Sequence, residues 1–593
     1  MSLKGAVPYL VRIRKLFRDD ETHFVQLAEH FFRRFFENEF ISQGSEARLT
    51  VVNALALLAL PPIFYTLFQV DTYANIWWNF PWKYPTVSLI DHYRFVTFSM
   101  VVIGFIAILE WDALFPDGRD YANLAPLPLK AARIFAAKIT ALLLFLSLFI
   151  VDVGGIPTLL YPLVETTGIR GHHVSFLRLC GMIAAHGVAT ISASAFSFLL
   201  CVALQGLLVN LLSPRTFKKV SLYVQVLGMI ALLLLLFSLP IISTLLPTWQ
   251  QARSAQFFWL PPLWFMGLYQ TLLGSDVPAF HSLGWISVMA LGLVTLACAA
   301  GYILNYKRHM QRALEANEAD PAGPSWLTGA AVRLMNRLVL RKPLERATFY
   351  FVTRTIARST KHRLYFATYV GVGLALALFG ILELLVHSAQ DDFMVVISRP
   401  NEALLTIPLI MSFFVLSGMR IVFTVPAELR ANWVFQMAED ENRVDCLSGV
   451  RKAMVAASVI TLASLFPLYA VLWGCAPAFM HLVFSLVLSL ILVELLLLSF
   501  RKIPFTCSFP SGKANITVLG FFYWFAFTTY AYTMATFERW LLQGGVRWIV
   551  FLGLAFLALW ALVRWRNIML GRGFSIVYED AANPEVQTLG LSA

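Results

Sequence analysis

The sequence predicts an all-α polytopic membrane protein: about twelve transmembrane helices, arranged as two parallel six-helix repeats with amphipathic interfacial helices. Three observations carry this. Hydrophobic residues make up 59% of the 593-residue chain and charged residues 13%, against roughly 25% charge in soluble domains. Too little charge remains to cover a water-facing surface. The length fits about a dozen spans of ~20 residues with their connections. Finally, Lys and Arg fall on alternate connections between the apolar runs, as the cytoplasmic-side rule requires.

The spans read in order as 50–70, 93–112, 135–153, 176–211, 221–246 and 285–305, then 365–386, 402–424, 453–474, 478–499, 516–535 and 547–564. The run 176–211 is too long for one straight span. Most of the 46 Lys and Arg lie in 1–48, 113–138, 213–220, 307–364, 425–452, 500–514 and the tail from 565. Both termini are therefore expected in the cytoplasm. The net charge of +12 is explained by this sidedness rather than by nucleic acid. No cleavable leader is visible, since nearly fifty charged and amphipathic residues precede the first apolar run. The six cysteines show no CxxC or metal spacing, which leaves neither a disulfide framework nor a metal site in the reading.

The domains follow from the spans: 1–48 amphipathic and interfacial, 49–306 the first six-span domain, 307–364 a linker with a second interfacial helix, 365–564 the second six-span domain, and 565–593 a tail. In the first amphipathic stretch, Phe24, Leu27, Phe31 and Phe35 recur at helical spacing beside Arg33 and Arg34. Such a helix suits the headgroup layer; the alternative is packing on the chain itself. "ATFYFVTRTIARSTKHRL" precedes the second half in the same way. The halves also share the order of other features. Phe115-Pro116, Arg119 and Ala122-Asn123 follow the second span, and Val425-Pro426, Arg430 and Ala431-Asn432 follow the eighth. Lys138 and Lys452 lead into the third span of each half. An even span count gives the halves the same orientation, unlike inverted repeats, and points to a pore between them. "LEANEADPAGPS", 314–325, is the natural joint.

The segment "FPDGRDYANLAPLPLKAARI", 115–134, leaves the membrane and returns to it. Pro116 and Asp117-Gly118 make a turn, and Asp120 can cap the residues after it. Leu124, Leu127 and Leu129 are apolar positions in a polar segment stiffened by Pro126 and Pro128, with Lys130 and Arg133 beyond. A rigid, half-apolar knob of this kind suits force transfer to a partner; the bland alternative is a plain loop.

This arrangement resembles ABC-type exporter permeases of the class often called type two. The resemblance implies that "RDYANLAPLPLKAARIFAAK" is a coupling helix docking on an ATPase subunit, through Asp120, Leu124, Pro126, Leu127, Pro128, Leu129, Lys130 and Arg133. Arg430 and Val434 mark the second coupling loop, which lacks the Leu-Pro alternation. The resemblance also implies short re-entrant or interfacial helices in "FFWLPPLWFMGLYQTLLG", 257–274. The second half has only "ATFERWLLQGGV" at the matching place. A phosphate-binding loop needs GxxxxGK[ST]; the nearest lookalike, "CSFPSGKAN", has Cys507 and Ala514 at key positions. No catalytic residue or cofactor is assigned to this chain. ATP and Mg are expected in separate ATPase subunits, two copies, and the chain is expected in the cytoplasmic (inner) membrane.

Ionisable residues within spans are costly and often functional. Glu494 in "LILVELLLL" and the stripe His186, Thr190, Ser192, Ser194, Ser197 are candidates for a substrate path. Interhelical hydrogen bonding is the competing reading. Three other functions stay open: an ion-gradient-driven secondary transporter, a lipid-active membrane enzyme and a force-transmitting permease that moves no solute. The first needs no docking segment; the second needs acids or histidines clustered at one membrane face.

Overall fold

The computed structural model describes residues 22–34, 45–111, 114, 131–166, 175–252, 255–315, 333, 335–337, 339–387, 393–427, 432, 443–498, 500, 502–506 and 516–571. Every regular element among them is helical. Among the described residues, eleven helices are long and apolar enough to cross a membrane. The chain divides into two compact units, Met1–Asp320 and Pro321–Ala593.

In the first unit, α1 (Thr22–Arg34) is the amphipathic helix. Its stripe of Leu27, Ala28 and Phe31 is buried against α4 (Ala131–Thr166). Lys138 of α4 lies 4.9 Å from the Phe31 ring centroid, a cation–π contact. This face is covered by the chain's own helix, so these rings do not supply a lipid contact. Phe24 is half-buried, and Phe35 lies outside the described residues.

The spans of this unit are α2 (Ser45–Asn79), α3 (Tyr84–Leu109), α4, α5 (Phe176–Leu211), α6 (Pro214–Phe237) and α9 (Pro278–Glu315). The helix α5 stays unbroken over all 36 residues, although the sequence reads as too long for one span. It is N-capped by Ser175, whose hydroxyl accepts from the Arg178 amide. Three helices outrun their apolar stretches. The span-forming part of α2 is Leu55–Asn79, nine residues beyond the expected end at 70. The helix α3 begins at Tyr84 rather than 93, and α4 continues past 153 to Thr166 through Pro157 and Pro162. Their extra turns carry the polar residues of the candidate site.

Between the fifth and sixth spans lie α7 (Leu239–Ala252) and α8 (Pro261–Leu272). Pro261 and Pro262 occupy the first helical turn of α8, where their missing N–H groups cost nothing. Leu263, Phe265, Met266 and Tyr269 are fully buried. At Gly267 a Cβ would come 2.3 Å from Leu283 Cβ of α9, so that crossing requires glycine.

The second unit opens with α10 (Pro343–Arg358), followed by α11 (Thr360–His387), the short α12 (Phe393–Ile397), α13 (Glu402–Val422), α14 (Arg443–Trp473) and α15 (Cys475–Leu497). Phe349 and Val352 of α10 are buried against α14. Gly449 of α14 permits this, because a Cβ there would sit 2.6 Å from the Glu345 carbonyl oxygen. Lys342 donates to Asp445 at 2.6 Å, and Lys452 pairs with Glu345.

The span expected at 516–535 is not a uniform α-helix. It is α16 (Ile516–Thr528), a π-helical segment Thr529–Thr533, and α17 (Met534–Leu541). It is therefore absent from the eleven uninterrupted candidates. The unit ends with α18 (Gly545–Gly571).

Candidate functional site

The extended ends of α2, α3 and α4 meet α5 and α8 in a buried polar cluster. Asp91 of α3 is wholly buried and well supplied with donors. Tyr65, Tyr73 (3.0 Å) and Gln69 (2.9 and 3.0 Å) of α2 all donate to its carboxylate. Arg94, one turn further along α3, approaches it at 3.5 Å and donates to the Tyr65 hydroxyl at 2.7 Å. Asp91 thus has a cation and three further donors, the conditions under which a buried carboxylate stays ionised.

Glu165 of α4 is placed differently. Its Oε1 accepts from Ser88 (2.6 Å) and Tyr84 (2.9 Å), both on α3. Its Oε2 is buried with no hydrogen-bond partner. Among the described residues no ion pair reaches Glu165.

Two histidines complete the cluster. The Nδ1–H of His92 donates to the Ser88 carbonyl at 2.7 Å, which makes Nε2 the bare nitrogen of the neutral ring. That Nε2 is buried without a partner. The ring stacks on Tyr269 of α8, with centroids 3.7 Å apart, and the Tyr269 hydroxyl is likewise buried and unpartnered. His186 of α5 meets His92 edge-on at 5.4 Å and Tyr161 at 5.5 Å. Tyr161 and Tyr73 share a 2.6 Å hydrogen bond. Three buried polar atoms, on α3, α4 and α8, thus stand open in one cluster.

The second unit holds a smaller counterpart. His481 of α15 and Glu538 of α17 lie 2.7 Å apart and are almost wholly buried. Tyr469 and Trp473 flank the imidazole, at 4.8 and 5.6 Å between centroids. His481 Nε2, Glu538 Oε2 and Ser485 Oγ have no partner.

Of the residues singled out from sequence, His186 falls within the main cluster. Ser194 is buried and Ser192 half-buried on the same helix, and neighbouring Ser197 donates to the Met100 carbonyl of α3 at 2.8 Å. Glu494 lies elsewhere, clamped between Arg451 of α14 and Arg566 of α18, the latter at 2.5 Å. Asp120, Leu124, Pro126, Leu127, Pro128, Leu129, Lys130, Arg430 and Val434 lie outside the described residues. Arg133, in the first turn of α4, is exposed. In the segment after the eighth span, Asn432 is buried and donates to the Thr506 carbonyl at 2.8 Å. His362 donates to the Val425 carbonyl at 3.0 Å. Sequence reading missed Asp91, His92, Glu165, Tyr269, His481 and Glu538. Asp91, His92 and Glu538 stand just beyond the ends of apolar runs, whereas His481 lies inside the expected span 478–499.

Comparison with protein-family models, curated proteins and solved structures finds no match to this chain.

Proposed function

We propose that this chain is the membrane-spanning permease of an ATP-driven ABC-type exporter, built as two parallel six-span repeats, with ATP and Mg held by two separate ATPase subunits. The observation that carries the reading is a repeated construction. In each unit an amphipathic helix docks on the third span through a lysine: Lys138 against Phe31, and Lys452 against Glu345. In the first unit a helix between the fifth and sixth spans, and in the second the end of the interrupted fifth span, brings a polar group beside a histidine of the fourth. These pairs are Tyr269 near His186, at 6.2 Å between rings, and Glu538 with His481. Such agreement supports a duplicated membrane domain. The stiff Leu-Pro segment 115–134, on the Lys/Arg-rich side, supplies the docking element. With that side in the cytoplasm, both termini lie there too, and the membrane is the inner one.

Docking rests on Leu124, Leu127 and Leu129 entering an apolar groove. Burying a leucine contributes about 1.5–3 kcal/mol, and ~1.4 kcal/mol is a decade in affinity. Leu127→Asp is therefore expected to weaken capture of the proposed ATPase subunit by tenfold or more and to lower ATP turnover in lipid. Val434→Asp is expected to do less. Full retention and unchanged turnover in Leu127→Asp would overturn the reading. Loss of transport on collapsing the proton gradient, with ATPase binding absent, would favour a gradient-driven transporter instead.

A further inference from the structure

We infer that Glu165 is a proton-binding site: a buried carboxylic acid that is neutral at neutral pH, linked through Ser88 to a neutral His92. The cluster contains two buried carboxylates and one guanidinium. Arg94 and four hydrogen bonds from Tyr65, Tyr73 and Gln69 all serve Asp91. Glu165 receives only the hydroxyls of Ser88 and Tyr84, both on one oxygen. Two carboxylates in unlike surroundings divide their roles, one ionised and one protonated. An ionised Glu165 would be a desolvated charge with no ion-pair partner among the described residues, a far costlier state than the neutral acid.

The titratable and charged groups around Glu165 come from every helix packed there. They are Tyr73 on α2; Tyr84, Asp91 and His92 on α3; Tyr161 on its own helix; His186 and the early Arg178 on α5; and Tyr269 on α8. At neutral pH the tyrosines are uncharged. Uptake and release balance simply. An O–H bond at Glu165 Oε2 forms on uptake of a proton from water and breaks on its return to water. This assignment rests on unit-one geometry alone and is independent of how the chain is powered.

The test is infrared difference spectroscopy of the full chain in lipid vesicles. A neutral carboxylic-acid carbonyl band, shifted in deuterated water, is expected at neutral pH. It should disappear in Glu165→Gln and persist in Asp91→Asn. Glutamine copies the shape of the neutral acid, so Glu165→Gln is also expected to fold with an unchanged thermal midpoint. A wild-type spectrum without the band, a band that survives Glu165→Gln, or failure of Glu165→Gln to fold would each overturn the assignment.

Discussion

Glu494 shows what a single residue can and cannot disclose. Its place in an unbroken apolar run marked it as costly and as a candidate for the substrate path. Its partners were hidden, because Arg451 is 43 positions away and Arg566 is 72. The contact ties α14, α15 and α18 together. Glu494→Gln would leave two guanidiniums facing a neutral amide, and removing one partner of a buried ionic group costs about 3–5 kcal/mol. The expected outcome is a clearly lower thermal midpoint in lipid, partly restored when Arg566→Gln is added. An unchanged midpoint in the single variant would remove this structural role. Asp91 and His92 teach the complementary lesson. Their polarity, with that of Arg94, placed the start of the second span at residue 93. Burial is supplied by neighbouring helices, which a run of hydropathy along one segment does not register.

At the level of elements, the amphipathic stretches were legible from their periodicity, but what covered them was not. An apolar stripe is equally suited to lipid and to a neighbouring helix, and here α1 and α10 pack on the third spans of their units. The contact of α10 with α14 is pH-sensitive. Burial by itself would push the Glu345 carboxyl up, but hydrogen bonds from Lys452 and Ser448, with the Lys452 charge, hold it below its ordinary value. A carboxyl lowered on folding contributes stability above its unfolded value, near about 4.3, and loses it as pH falls through the folded value. Hydrogen bonds to charged groups contribute about 1.5–3 kcal/mol. Glu345→Gln should therefore lower the thermal midpoint at neutral pH, and the gap to wild type should close as pH falls below the usual carboxylate range. A gap that is constant with pH would rule out the ionic account.

For the molecule as a whole, composition and length were enough to read a helical membrane protein, and eleven of the expected spans appear as uninterrupted helices. Sidedness is expected from the distribution of Lys and Arg and can be read directly. In a cysteine-free background, Asp276→Cys, between α8 and α9, should react with impermeant thiol reagent from outside intact cells. Arg341→Cys, just before α10, should react only after the membrane is opened. The reverse pattern would invert the topology and move the proposed docking segment to the wrong side for an ATPase. What remained illegible at this scale was the association of distant helix ends. The acid–histidine cluster is assembled from five helices, and each contributes too few polar residues to stand out alone.

The π-helical segment Thr529–Thr533 has a consequence for how related chains would be compared. A widened turn is what one inserted residue leaves inside a helix, and each residue of an α-helix advances the direction of its side chain by about 100°. Glu538 reaches His481 only because its count along the helix includes that surplus residue. A homologue one residue shorter here would align with a gap in the middle of a membrane segment, where gaps are usually treated as errors. Its carboxylate, although identical in the alignment, would point about a quarter-turn away from the imidazole.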